Sequence, residues 1–253
     1  MSDRPSSRLF ALVAVTLPVA LSACGRVPGQ FEILNDQVPL PGCVIPTDPG
    51  VYQGEGTLDV AVVQPDITSA YFFFPLIENN LPASPNAALD PNQIQLSGFQ
   101  VDITPIPGAA LPQPIQGVLD GAGPLAHYQV SWSGGVDSGG GHLSAAVAAF
   151  PVELAQAMAA AGGLGHDPSN VVLLNISALG MTNSGQHMTS DPFHFPLHIC
   201  SGCLVANIAN VPACPFTVPV ANTGNACNPA QDGFVDCCTQ NGSLVCPPTV
   251  AAQ

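Results

Sequence analysis

The residues best equipped for chemistry are six histidines and nine cysteines, and their densest grouping is His187, Asp191, His194 and His198, followed at once by Cys200-Ser201-Gly202-Cys203. Imidazole, carboxylate and thiolate are the ordinary zinc ligands, and a metal held by three of them activates water for hydrolysis. A metal-dependent binding protein or hydrolase would use His187, Asp191 and His194, with a turn carrying the first two to the third. His194 and His198 suit one ion less well. On a strand they share a face but stand about 13 Å apart, at about 3.3 Å per residue. The Cys-x-x-Cys pair follows what reads as a strand end, so it lacks the helix start that lowers a thiol pKa. No second matched pair completes four zinc ligands around it. Ser144, in Gly141-His142-Leu143-Ser144-Ala145, lacks the second glycine of a nucleophile elbow. The glycines at 139 to 141 lack the lysine of a phosphate loop, and no paired-carboxylate motif suggests glycoside hydrolysis. The preferred reading therefore has no catalytic residue, no metal site and no cofactor, with the histidine cluster as the alternative.

Charge narrows the partners. Lysine is absent, and the arginines are Arg4, Arg8 and Arg26. Cleavage before Cys24 would remove two arginines and Asp3, leaving Arg26 against 16 acidic residues, a side-chain charge of −15. Nucleic-acid binding needs cations to neutralise phosphates, so it is set aside. Recognition of anionic substrates and adhesion to anionic headgroups meet the same objection. Such a charge keeps a chain that is 47% hydrophobic from associating. Asp232-Gly233-Phe234-Val235-Asp236 spaces two acids four apart but lacks the alternating ligands of a calcium loop.

The segment before Cys24 has the anatomy of a signal peptide: Arg4 and Arg8, then the apolar run Leu9 to Ala20. That run is too short to span a bilayer, which takes about 20 residues. Leu21-Ser22-Ala23-Cys24 resembles the bacterial lipobox at every position. The resemblance implies lipidation of the Cys24 thiol, cleavage just before it and attachment to a membrane by two or three acyl chains, enough for stable anchoring. Gly25 in place of aspartate after the lipid-bearing residue implies the outer membrane. With Cys24 set aside, Cys43, Cys200, Cys203, Cys214, Cys227, Cys237, Cys238 and Cys246 form an even set, which in an exported chain reads as four disulfides. A Cys237–Cys238 bridge is discouraged by geometry, and Cys43 is expected to join Cys200 or Cys203.

The elements that must position these residues read as β. Residues 24–47, with Pro28, Pro39, Pro41 and Pro46, read as a lipidated, proline-rich tether. Leu58, Val60 and Val62 then alternate with other residues, as do Tyr128, Val130 and Trp132. Further candidates are Ile67 to Ile77, His142 to Phe150, Val171 to Leu179 and His187 to Ile199. Between Ile94 and Thr104 the apolar phase shifts by one residue at Ser97-Gly98, which predicts a β-bulge. Pro151 to Ala161 carries Leu154 and Met158 at helical spacing, with Glu153 near the start and Gly162-Gly163 as a stop. These patterns predict an all-β fold: an immunoglobulin-like antiparallel β-sandwich over 48–205, one short helix, and a disulfide-rich tail over 206–253 stapled against it.

The order of lipobox, tether, sandwich ending in Phe193-His194-Phe195-Pro196-Leu197-His198-Ile199-Cys200-Ser201-Gly202-Cys203-Leu204, and tail with Cys227-Asn228-Pro229 and Asp236-Cys237-Cys238 resembles predicted surface lipoproteins of high-GC predatory and soil bacteria. That resemblance implies location and fold. The expectation is a membrane-anchored envelope lipoprotein acting as a non-enzymatic binding or structural module. Its partners would be the membrane, through the lipid, and an envelope protein or glycan.

Overall fold

The computed structural model describes residues 29–63, 69–84, 89–108, 110–207, 222–240 and 243–246. Cys24, Cys214 and the first part of the Ile67 to Ile77 candidate lie outside them.

Alternating apolar residues build two facing layers, and the chain is an all-β sandwich. In the first layer, β1 (Phe31–Gln37) lies between β2 (Tyr52–Gln53) and β5 (Pro75–Asn79), and β8 (Gly141–Ser144) flanks β5. The β5–β8 ladder continues, past a break at Phe74 and Ala145-Ala146, into β4 (Tyr71–Phe73) paired with β9 (Val147–Phe150). The second layer has the order β3 (Gly56–Asp59), β12 (Phe193–Cys200), β10 (Asn170–Thr182), β6 (Ile94–Pro105), β7 (His127–Val136), with β11 (His187–Thr189) on the far end of β10. All pairs in these layers are antiparallel except β3 with β12.

Phe99, Val101, Val172, Leu174, Ile176, Phe195 and Leu197 point inward from the second layer and are fully buried. They meet Phe73 and Ile77 of the first layer. Phe73 sits 5.2 Å from Phe195 and 5.6 Å from Phe193, ring centre to ring centre, within the range of favourable aromatic pairing. The bulge is where the phase shift puts it: Leu96 and Gly98 of β6 pair with Gly180 and Leu179 of β10, leaving Ser97 as the extra residue. Gly98 is required there, since a β-carbon would lie 2.4 Å from the Val130 carbonyl oxygen. The helix after Pro151 forms as α2 (Val152–Ala161), burying Leu154, Ala155 and Met158 and ending at Gly162 in the left-handed region. A second helix, α1 (Gln113–Gly121), packs beside it and buries Ile115 and Leu119. Pro112 and Pro114 fall at its start, where proline is tolerated.

Two expectations need correction. The 24–47 stretch is not tether throughout. Phe31–Gln37 is an interior strand of the first layer, with Phe31 and Ile33 buried and its polar end, Asn35-Asp36-Gln37, buried through hydrogen bonds. Cys43 pairs with Cys227, not with Cys200 or Cys203; those two close on each other, and Cys237 pairs with Cys246. Cys238 is disulfide-bonded as well. Local geometry explains the pairing: Cys200 and Cys203 face each other across a four-residue turn, and the loop after β1 runs to the 222–232 segment. The disulfide-rich tail is stapled to the body by Cys43–Cys227, as its cysteines led one to expect, and is packed into it as well. Here β13 (Val205–Asn207), β14 (Val235–Gln240) and β15 (Ser243–Val245) form a small sheet, and Ala230, Gln231, Val235 and Cys237 are buried.

Candidate functional site

The histidine cluster does not assemble. His187 lies opposite Met181 and His194 opposite Asn175, six residues apart along β10. At about 3.3 Å per residue they stand roughly 20 Å apart, on the same outer face. His194 Nδ1 is hydrogen-bonded to Asn175 Oδ1 at 2.6 Å, and His198 reaches the Pro168 carbonyl and Glu55. Asp191 is exposed and lines an open cleft of about 440 Å³ with Phe31, Glu32, Met188 and Thr189. The metal centre built on His187, Asp191 and His194 is therefore overturned, because the strand register separates its ligands.

Among the described residues, one set has ligand atoms close enough for a metal: Asp59, Cys200 and Cys203. The two sulfurs are joined to each other, so neither offers a thiolate. Asp59 has a structural task in that turn. Its Oδ1 accepts from the N–H of Ala61 and of Gly202, and its Oδ2 from that of Leu204, at 2.7 to 3.0 Å.

The outer face of the second layer joins His194 to residues that sequence reasoning missed. A cross-strand row runs His127–Asp102–Asn175–His194 over β7, β6, β10 and β12. Asp102 Oδ1 lies 2.9 Å from His127 Nδ1, and its Oδ2 accepts from Gln100 Nε2. Asn175 Nδ2 donates to the Asp102 carbonyl and Thr104 Oγ1, and its Oδ1 meets His194. Exposed Gln129, Ser131 and Ser133 continue the face along β7. The available signal was period 2: polar residues at every second place in strands whose other places are apolar. Such mutually held amide, imidazole and carboxylate groups present ordered donors and acceptors at little entropic cost to a ligand.

A second constellation is internal. Asp36 is fully buried at the end of β1. Its Oδ1 accepts from the Phe74 N–H at 2.6 Å and its Oδ2 from Gln53 Nε2 at 2.8 Å. Asp232 arrives from the tail, with Oδ1 accepting from the Thr57 N–H and Oδ2 from Gln53 Nε2, the Tyr71 hydroxyl and Gln231 Nε2. Loss of water around them pushes both carboxyls above the usual carboxylate range, Asp36 strongly, and their mutual repulsion adds to the rise in Asp36. Burial also raises the Tyr71 hydroxyl, and both aspartates reinforce it. Asp36, Gln53, Tyr71 and Asp232 span almost the whole chain, and no local motif announces them. Asp236, four residues on, instead holds the backbone and side chain of Asn222, so the two acids of that stretch do not converge.

No protein-family model matches this chain, and no curated protein is significantly similar to it.

Proposed function

We propose that the protein is a membrane-anchored envelope lipoprotein, held through a lipidated Cys24 on the outer membrane, whose sandwich is a non-enzymatic binding or structural module. The binding surface is the outer face of the second layer. The observation that carries this reading is the row His127–Asp102–Asn175–His194, a set of hydrogen-bonding groups fixed to one another on an open sheet face. With no lysine or arginine after Arg26, that face suits a neutral polar partner, an envelope glycan or protein, and not a nucleic acid. Strand β1 begins at Phe31, so the seven steps of chain from Cys24 reach at most about 25 Å. The sandwich is thereby kept near the membrane.

The test pairs the anchor with the face. Cys24→Ala should move the protein from the membrane to the soluble fraction. Asp102→Ala with His194→Ala should abolish retention on isolated envelope polysaccharide or cross-linking to envelope proteins, with the fold intact. Membrane retention of the Cys24 variant refutes the anchor. Unchanged retention and cross-linking of the double variant refute the face.

A further inference from the structure

The open side of the sandwich, between β3 and β4, is closed by a turn from the tail. The Ala230 carbonyl accepts from the Asp59 N–H, the Asp232 N–H donates to the Thr57 carbonyl, and Gln231 bridges to Leu58, so the turn takes the place of a strand beside β3. On the other side its side chains replace a strand. Gln231 Oε1 accepts from the Phe72 N–H at 2.8 Å, Gln231 Nε2 donates to the Phe72 carbonyl at 3.0 Å, and Asn228 Nδ2 donates to the Ala70 carbonyl at 2.8 Å. Unpaired strand edges invite pairing with other chains, and here two edges are satisfied by residues 228 to 232.

What holds this turn is the carboxylate pair. Asp232 adopts a positive φ of 55°, uncommon for any residue but glycine, and its side chain engages β2, β3 and β4 at once through Gln53, Thr57 and Tyr71. Gln53 Nε2 has two hydrogens and three oxygen neighbours, Asp36 Oδ2 at 2.8 Å, Asp232 Oδ2 at 3.1 Å and the Tyr71 hydroxyl at 3.1 Å. The titratable groups facing the cluster are Asp36 from β1, Tyr71 from β4 and Asp232 from the turn. Gln53 of β2, the Thr57 N–H of β3 and Gln231 are neutral, and no lysine or arginine follows Arg26.

We propose that Asp36, Gln53, Tyr71 and Asp232 form a proton-operated latch: with one proton on the carboxyl pair, residues 228 to 232 are held as a plug on the β3 and β4 edges, and loss of that proton loosens the plug and uncovers them. Asp36 is the site that keeps the proton, since it accepts two hydrogen bonds where Asp232 accepts four. The raised range of both carboxyls agrees with this. Ionising the second carboxyl places two negative charges around one amide with no cation to offset them. Opening is local, because Cys227 is bonded to Cys43 on one flank and Cys237 to Cys246 on the other.

The test is hydrogen exchange followed by mass spectrometry on the full mature chain between pH 5.5 and 9.5, at fixed ionic strength and corrected for the intrinsic pH dependence of exchange. Peptides covering 56–59, 69–74 and 228–232 should lose protection by about tenfold per pH unit from the ordinary carboxylate range of the opened state up to the raised midpoint of the closed pair, and level off above it, the linkage of one proton. Protection in β10 should not change. Asp36→Asn, which cannot ionise, should stay protected across the range. Asp232→Asn, whose residue tolerates the left-handed conformation, should also lose the pH response, which keeps the test decisive if the first variant does not fold. Equal behaviour of these peptides and β10 in the wild type would overturn the latch, as would a wild-type pH response in either folded variant.

Discussion

Cutting the Cys43–Cys227 bridge should be the most damaging change to any disulfide named here. The bond joins residues 184 positions apart, linking the loop after β1 to the segment that carries Asp232. In the chain-entropy account, closing a loop of that size removes about 5 kcal/mol of unfolded-state freedom, against about 2 kcal/mol for the four-residue Cys200–Cys203 loop and about 2.7 kcal/mol for Cys237–Cys246. Residual structure in the unfolded chain and relaxation of the native one reduce such figures, so the Cys43→Ser, Cys227→Ser variant should lose about 3 to 5 kcal/mol. Cys43 also holds a positive φ of 57°, a conformation the bridge helps to keep. The assay is equilibrium urea unfolding, fluorescence-detected through Trp132, with both double serine variants beside the wild type. The midpoint should fall by about 1 to 2 M for the long bridge, and by clearly less for Cys200→Ser, Cys203→Ser. A loss below about 1 kcal/mol, or equal losses for the two variants, would refute the reasoning.

Three other outcomes follow from the packing and the buried charges. Phe195→Ala empties a site with no solvent exposure beneath Tyr71 and Phe73, and should cost about 3 to 5 kcal/mol by the same unfolding measurement. Gly98→Ala drives a β-carbon to 2.4 Å from the Val130 carbonyl and should cost about 1 to 3 kcal/mol, with lost protection of β7 in hydrogen exchange. Asp36 and Asp232 have folded pKa values raised above the unfolded carboxylate value. Their contribution is therefore complete below the unfolded pKa and is lost as pH rises through the folded values, by up to about 1.4 kcal/mol per pH unit for each proton. Unfolding midpoints should fall as pH rises above the ordinary carboxylate range, and Asp36→Asn should flatten the slope.

Much of the sandwich was legible because burial on one face imposes a period of 2. Strands β6, β7, β10 and β12 show it, and a bulge shows as a slip in it, as at Ser97-Gly98. The helix α2 was legible through Pro151, Leu154, Met158 and Gly162. Strand β1 was obscured because three polar residues, Asn35-Asp36-Gln37, end it, and they are buried by hydrogen bonding and not by apolarity. Helix α1 was obscured by Pro112, Pro114, Gly117 and Gly121, which punctuate loops more often than they open and cross a helix. The cysteine pairing depends on which loops meet in space, which spacing does not encode. For the same reason spacing groups His187 with His194 although the register holds them far apart, whereas nothing in the sequence joins Asp36, Gln53, Tyr71 and Asp232. Their proximity is a product of the fold.

The proposed lipid anchor on this disulfide-framed sandwich is tested most directly by the intact mass of the membrane-extracted protein, before and after reduction. The account predicts a chain of residues 24 to 253 carrying acyl groups, whose mass rises by about 8 Da when four bridges are reduced. A chain without acyl groups, or thiols free before reduction, would contradict it.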